Sequence, residues 1–114
     1  MDPSTTILMI KALDCLAARQ VATAENIANA GTRNYVPLRA NFEAALKEAA
    51  SRGDDAVKAL QPTIERAVAG TPDAKLRADK EMGTAAGTAL RYNALIQILN
   101  RQMQIESQAL EGNR

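Results

Sequence analysis

Asn26-Ile27-Ala28-Asn29-Ala30-Gly31-Thr32-Arg33-Asn34-Tyr35 is the stretch where a long helical pattern stops and the backbone turns. Gly31 ends helices because it takes positive φ without steric penalty, and Asn29 tolerates the same region better than most residues. Pro37 then biases Val36 towards extended geometry, so residues 31–40 are expected to be a loop.

Towards the N-terminus, Asp2 or Ser4 can cap a helix whose first turn accommodates Pro3, a residue with no N–H to leave unpaired. Ile10, Leu13, Ala17, Val21, Ala24 and Ala28 recur at three- and four-residue steps and form one apolar stripe. A helix running to Ala30 would be about 40 Å long.

Towards the C-terminus, Asn41 can cap a second, shorter helix in which Phe42, Ala45, Leu46 and Ala49 share a face before Gly53 ends it. Phe42, the only Phe, suits a staple onto the long helices. Asp54 can cap a short helix through Leu60 that Pro62 interrupts, and Gly70-Thr71-Pro72-Asp73 reads as a turn or mobile loop. With 15 charged residues between Asn41 and Glu81, the middle reads as a solvated connector.

The last segment carries the clearest pattern. Met82, Ala85, Ala89, Tyr92, Ile96, Leu99 and Met103 alternate at three and four residues, the a and d spacing of a coiled-coil seam. Between Met82 and Ile105 the only charges are Arg91 and Arg101, while Leu90, Leu95, Ile98 and Ile105 lie off the seam. A helix apolar on more than one side is packed on more than one side, which implies contacts with other subunits. Gly83 and Gly87 would let a helix approach closely, opposite the alanine-rich first helix, although each costs helix stability of ~1 kcal/mol relative to alanine.

These elements predict an all-α fold in a single domain over residues 1–114. It comprises an N-terminal helix over 1–30, a turn, short helix and connector over 31–75, and a C-terminal helix over 76–110. The two long helices are expected to pack as an antiparallel coiled-coil-like pair.

Composition narrows the function. Hydrophobic residues make up 46% of the chain but aromatics only 3%, so large core side chains are scarce and a free monomer should be marginally folded. Charge is +4 and −3 over 1–40, +7 and −8 over 41–81, and +3 and −2 over 82–114, with no basic cluster of the kind that binds nucleic acid. With no His and a single Cys, no catalytic residues, metal site or cofactor are expected, and Cys15 reads as a small apolar residue. Neither a secretory signal nor a run of ~20 apolar residues is present, so direct membrane insertion is not expected.

Ala24-Glu25-Asn26-Ile27-Ala28-Asn29-Ala30-Gly31-Thr32-Arg33-Asn34-Tyr35 resembles the N-terminal motif A-N-N-I-A-N-A-x-T-P-G-Y of the flagellar basal-body rod proteins. Asn26, Ile27, Ala28, Asn29, Ala30, Thr32 and Tyr35 carry the match. Phe42-Glu43-Ala44-Ala45-Leu46-Lys47 is similar to the F-E-A-A-L-K of the B-type proximal rod proteins within that family. Asp79-Lys80-Glu81-Met82 and Leu90-Arg91-Tyr92-Asn93-Ala94-Leu95 resemble their D-K-E-M and L-R-Y-Q-A-L segments. The likeness covers residues 10–50 and 76–104. Arg33-Asn34 stands where the family usually has Pro-Gly, so the turn gives up proline's preset φ but keeps in Asn34 a residue that can take positive φ, and Glu25 stands where the family often has Asn.

This resemblance implies a structural, non-enzymatic subunit of the rod that carries torque through the periplasm. Its partners would be other flagellar rod subunits and copies of itself, with the junction protein, export gate and membrane ring at the rod base. Export would follow the flagellar type III route without a cleaved signal peptide. The residues expected to pack in the assembly are Ile10, Leu13, Ala17, Val21, Ala24 and Ala28 on the first helix, and Met82, Ala89, Tyr92, Ile96, Leu99 and Met103 on the last. Two alternatives stand beside it: a self-contained helical bundle or coiled-coil adaptor, and a type III secreted protein.

Overall fold

A computed structural model of the chain describes residues 1–67 and 74–112; the expected turn over 70–73 lies outside them. Two long helices dominate, α1 (Pro3–Ala28) and α4 (Ala74–Gly112). Between them come β1 (Leu38–Asn41), α2 (Glu43–Arg52), α3 (Asp54–Ala59) and β2 (Thr63–Arg66). The molecule is slender, 64 × 27 × 14 Å.

α1 begins as its sequence dictates. The Asp2 carboxylate accepts the Ser4 N–H at 3.2 Å, and Pro3 occupies the first helical position. At the exit Gly31 does not take the positive φ expected of it, whereas Asn34, expected to tolerate it, does, at φ 64°. Asn29 closes the helix instead, its N–H and its side-chain amide both donating to the Glu25 carbonyl at 3.1 and 2.9 Å.

α4 runs back along α1. Gln20 donates to the Ala85 carbonyl, Asn26 to Glu81 and Arg77 to the Ala30 carbonyl, so rising numbers on one helix meet falling numbers on the other. At 39 residues against 26, α4 is about 58 Å long and extends past the start of its partner.

The all-α expectation is corrected. β1 and β2 form a two-stranded antiparallel sheet with Leu38 opposite Arg66 and Asn41 opposite Thr63. The loop expected over 31–40 is thus partly strand, and the connector supplies its mate. The pairing continues one residue beyond the strands, where the Ala67 N–H donates to the Pro37 carbonyl at 2.7 Å. Asn41 ends the strand rather than capping α2; the cap position is Phe42, whose N–H is met by the Glu43 carboxylate at 3.3 Å.

The middle segment wraps α1. From Phe42, α2 runs back along α1 past Ala12 to Leu8 and Met9. α3 then follows α1 in the forward direction, from Ser4, which donates to Asp54, to Lys11. The Lys11 ammonium donates to the carbonyls of Lys58 and Leu60 at 3.0 and 2.9 Å, where the unpaired carbonyls of a helix end attract a cation. Gly53, at φ 119°, makes the sharp junction between α2 and α3.

The core is small. Cys15, Leu16 and Phe42 are buried together, with Leu46 and Leu95 packed against them. Phe42 therefore staples the middle segment onto both long helices. The Arg19 guanidinium lies 4.4 Å over the Phe42 ring while donating to the Ala40 carbonyl at 2.8 Å.

Candidate functional site

Two features concentrate the chemistry of this chain: a polar clasp where α1 ends, and broad apolar faces on the two long helices.

The clasp is centred on Asn26, only 2% exposed. Its amide oxygen accepts from the Tyr35 hydroxyl and the Leu38 N–H, each at 2.7 Å. Its amide nitrogen donates to the Leu38 carbonyl at 2.8 Å and to the Glu81 carboxylate at 3.1 Å. All four hydrogen-bonding positions of the amide are filled, and the partners fix which end is oxygen. The other Glu81 oxygen accepts from Arg39 at 2.7 Å, giving the buried carboxylate a cationic partner. Arg77 closes the loop from α4 by donating to the carbonyls of Ala30 and Tyr35 at 2.6 and 3.0 Å. The Arg66 guanidinium sits over the Tyr35 ring and donates to the Val36 carbonyl at 2.8 Å.

Burial, reinforced by Glu25 and partly offset by Arg66, pushes the Tyr35 phenol above its ordinary value, so it stays a donor to Asn26. Burial likewise raises the Cys15 thiol, with Lys11 pulling the other way. At Glu43 burial alone would raise the carboxyl. The Arg19 hydrogen bond and the N–H groups of Glu43 and Phe42 outweigh it and hold the group below the usual range.

Of the motif-turn residues, the structure brings Asn26 and Tyr35 into the clasp. Asn29 caps α1 and accepts from the Thr32 hydroxyl at 3.2 Å, and the Ile27 carbonyl accepts the Ala30 N–H. Ala28 faces outward. Glu81, Arg39 and Arg77 were missed as site residues. Glu81 had a usable signal: it is a carboxylate inside the quoted Asp79-Lys80-Glu81-Met82 segment, on the turn of α4 facing the end of α1.

The packing residues divide. On α1, Leu13 is half-buried, whereas Ile10, Ala17, Val21, Ala24 and Ala28 are exposed, Val21 to 71%. The α1 stripe therefore does not face α4. The inward faces of α1 carry Cys15, Leu16, Ala22, Thr23 and Asn26 instead. On α4, Ala89, Ile96 and Leu99 are half-buried, while Met82, Tyr92 and Met103 are exposed. The face that meets α1 passes through Glu81, Thr88 and Leu95, one residue away from the expected seam. Gly83 and Gly87 do not approach α1 either, because a Cβ on either would meet open space.

An apolar groove of about 280 Å³ runs between the helices, lined by Leu16, Ala17, Gln20, Thr88, Ala89 and Tyr92 together with Asn93. Among the described residues no three metal-ligating side chains converge, and no helix is long and apolar enough to cross a membrane. No protein-family description and no curated protein sequence matches the chain.

Proposed function

We propose that this chain is a structural subunit of the bacterial flagellar basal-body rod, of the proximal B type, built to assemble through its two long helices rather than to catalyse a reaction. The observation that carries the reading is the placement of its large apolar side chains. Ile10, Val21, Met82, Leu90, Tyr92, Ile98, Met103, Ile105 and Leu110 are all exposed along α1 and α4, against a buried cluster of only Cys15, Leu16 and Phe42. Exposed apolar surface on this scale marks interaction sites. Further support comes from the residues that carry the family resemblance: Asn26 and Tyr35 from the first half meet Glu81 from the second in one clasp. The motifs thus read as the requirements of a shared turn geometry.

In this role the chain would be exported by the type III route and would order fully on joining other rod subunits and copies of itself. The junction protein, export gate and membrane ring would lie at its end of the rod. Deleting the coding sequence in the source bacterium should stop filament growth, with motility restored by this chain and with the chain recovered in isolated basal bodies. A deletion strain that swims normally would overturn the reading. The rival, a self-contained bundle, draws on the closed contact of Phe42 with α1 and α4, and predicts that normal swimming.

A further inference from the structure

Gly83 and Gly87 are unexplained by anything inside the chain. Glycine weakens a helix interior, and a Cβ at either position would meet nothing within 4 Å. Glycine at such a position earns its place when another backbone comes close, and within the described residues none does. Around these glycines α4 presents an outer face on which Gly83 is exposed and Gly87 is half-buried, its edge bordering Arg19 of α1. Leu90 is 72% exposed and Ala94 is also exposed. One edge of this face carries Lys80 and Arg91, both exposed and eleven residues apart.

α1 has a complementary face. Its outward stripe of Ile10, Ala17, Val21 and Ala24 is exposed and narrow, and one edge carries Asp14 and Glu25, again exposed and eleven residues apart. Eleven residues are close to three helical turns, so each pair is aligned along its helix and separated by about 16 Å. The α4 edge is cationic and the α1 edge anionic. None of the four makes an ion pair with another side chain among the described residues.

Handedness selects the orientation. At about 100° per residue, Asp14 and Glu25 lie about 60° clockwise of the α1 stripe, viewed from its N-terminus. Lys80 and Arg91 lie a similar angle clockwise of the line through Gly83, Gly87, Leu90 and Ala94. Two facing helices bring edges of the same sense together only when they run antiparallel.

We propose that the outer stripe of α1 in one copy docks antiparallel on the Gly83–Gly87 face of α4 in a second copy, with Asp14 opposite Arg91 and Glu25 opposite Lys80. This inference rests on the reading that the chain assembles, and it names the surfaces. The register sets Ala24 and Val21 over Gly83, Ala17 over Gly87 and Ile10 over Ala94, so that each of these α1 residues meets a glycine or alanine on α4, which permits close backbone approach. The contact joins two different faces, so used once per neighbour it is heterologous and leaves each copy an unused face from which the array extends.

Two full-length variants test it by sedimentation velocity at low salt, across concentrations up to the millimolar range. Asp14→Lys with Glu25→Lys makes both faces cationic, and Lys80→Glu with Arg91→Glu makes both anionic. All four positions are exposed, so each variant should keep the parent's circular dichroism. Each alone should associate at least about tenfold more weakly than the parent, and an equimolar mixture should recover association, because each then finds an opposite face. Gly83→Ala with Gly87→Ala should raise thermal stability yet weaken association about tenfold. A parent that remains monomeric at every concentration, variants that associate like the parent, or a mixture no stronger than its components would overturn the proposal. Those results leave the deletion phenotype unaffected, so failure here is distinguishable from failure of the rod assignment.

Discussion

Replacing Asn26 with alanine tests the clasp directly. The substitution removes four hydrogen bonds, but the four partners are not equally stranded. The Leu38 carbonyl keeps the Arg39 donor at 2.9 Å, and Glu81 keeps its pair with Arg39 at 2.7 Å. The Leu38 N–H and the Tyr35 hydroxyl lose their acceptor, and Asn26 occupies a site closed to solvent. An unsatisfied buried polar group costs about 1–3 kcal/mol, and a bond to a charged partner contributes about 1.5–3 kcal/mol. Since Tyr35 is only half-buried and can recruit water, the total should be about 3–4 kcal/mol. With a urea slope of about 1–1.5 kcal/mol/M for a chain this size, the midpoint should fall by ~2–4 M. Helicity followed by circular dichroism during urea titration measures it, with the slope checked for constancy. If the parent is less stable than this loss, the variant is unfolded in buffer. A variant whose midpoint moves by less than about 0.5 M would refute the claim that Asn26 ties the two halves together. Asn26→Asp is the sharper control, because it keeps the two acceptor bonds but sets a second carboxylate against Glu81. It should be less stable than Asn26→Ala at neutral pH and recover on acidification.

Lys11→Met should cost about 1–2 kcal/mol in the same titration, since the α3 carbonyls it caps lose a charged donor. Glu43 has a depressed folded pKa, so its contribution is present above its unfolded value and lost as pH falls through the folded one. Glu43→Gln should therefore lower stability across the neutral range and flatten the acid limb of a stability–pH curve, the two proteins converging at low pH. Cys15 is raised, so its contribution is present below its unfolded value and lost as alkaline pH passes through the folded one; Cys15→Ala should remove that alkaline loss. Its thiol should react with a disulfide reagent only as fast as the chain opens, so labelling through a urea titration should track the loss of helicity.

The long helices were legible because their apolar spacing persists over many turns. Which side of each faces the chain's own core was not. The α1 stripe is drawn mostly by alanines and exposed aliphatics, whereas the inward faces include Arg19, Thr23 and Asn26, polar residues that burial only makes sense of once Phe42, Leu38 and Glu81 are in place. Similarly, Met82, Tyr92 and Met103 fit the heptad spacing on α4, but the contact with α1 lies one residue over, through Glu81, Thr88 and Leu95. The sheet left almost no local trace. Leu38–Asn41 and Thr63–Arg66 are four residues each, too short for alternation to emerge, and they pair across the whole of α2 and α3. The turn was legible as a turn, and Asn34 as a residue in it able to take positive φ; Gly31 takes none, since the hydrogen bonds of Asn29 and Thr32 close the helix without a left-handed glycine.

The clasp also imposes a sequence of events in time. Asn26, Tyr35 and Leu38 lie in the first third of the chain, whereas Glu81 and Arg77 are contributed by α4. Until residue 81 is delivered, the Asn26 amide has one donor unspent and the turn lacks its α4 partners. Long-range closure of this kind is entropically slow compared with helix growth. The last long helix to arrive thus determines when the end of the first becomes fixed.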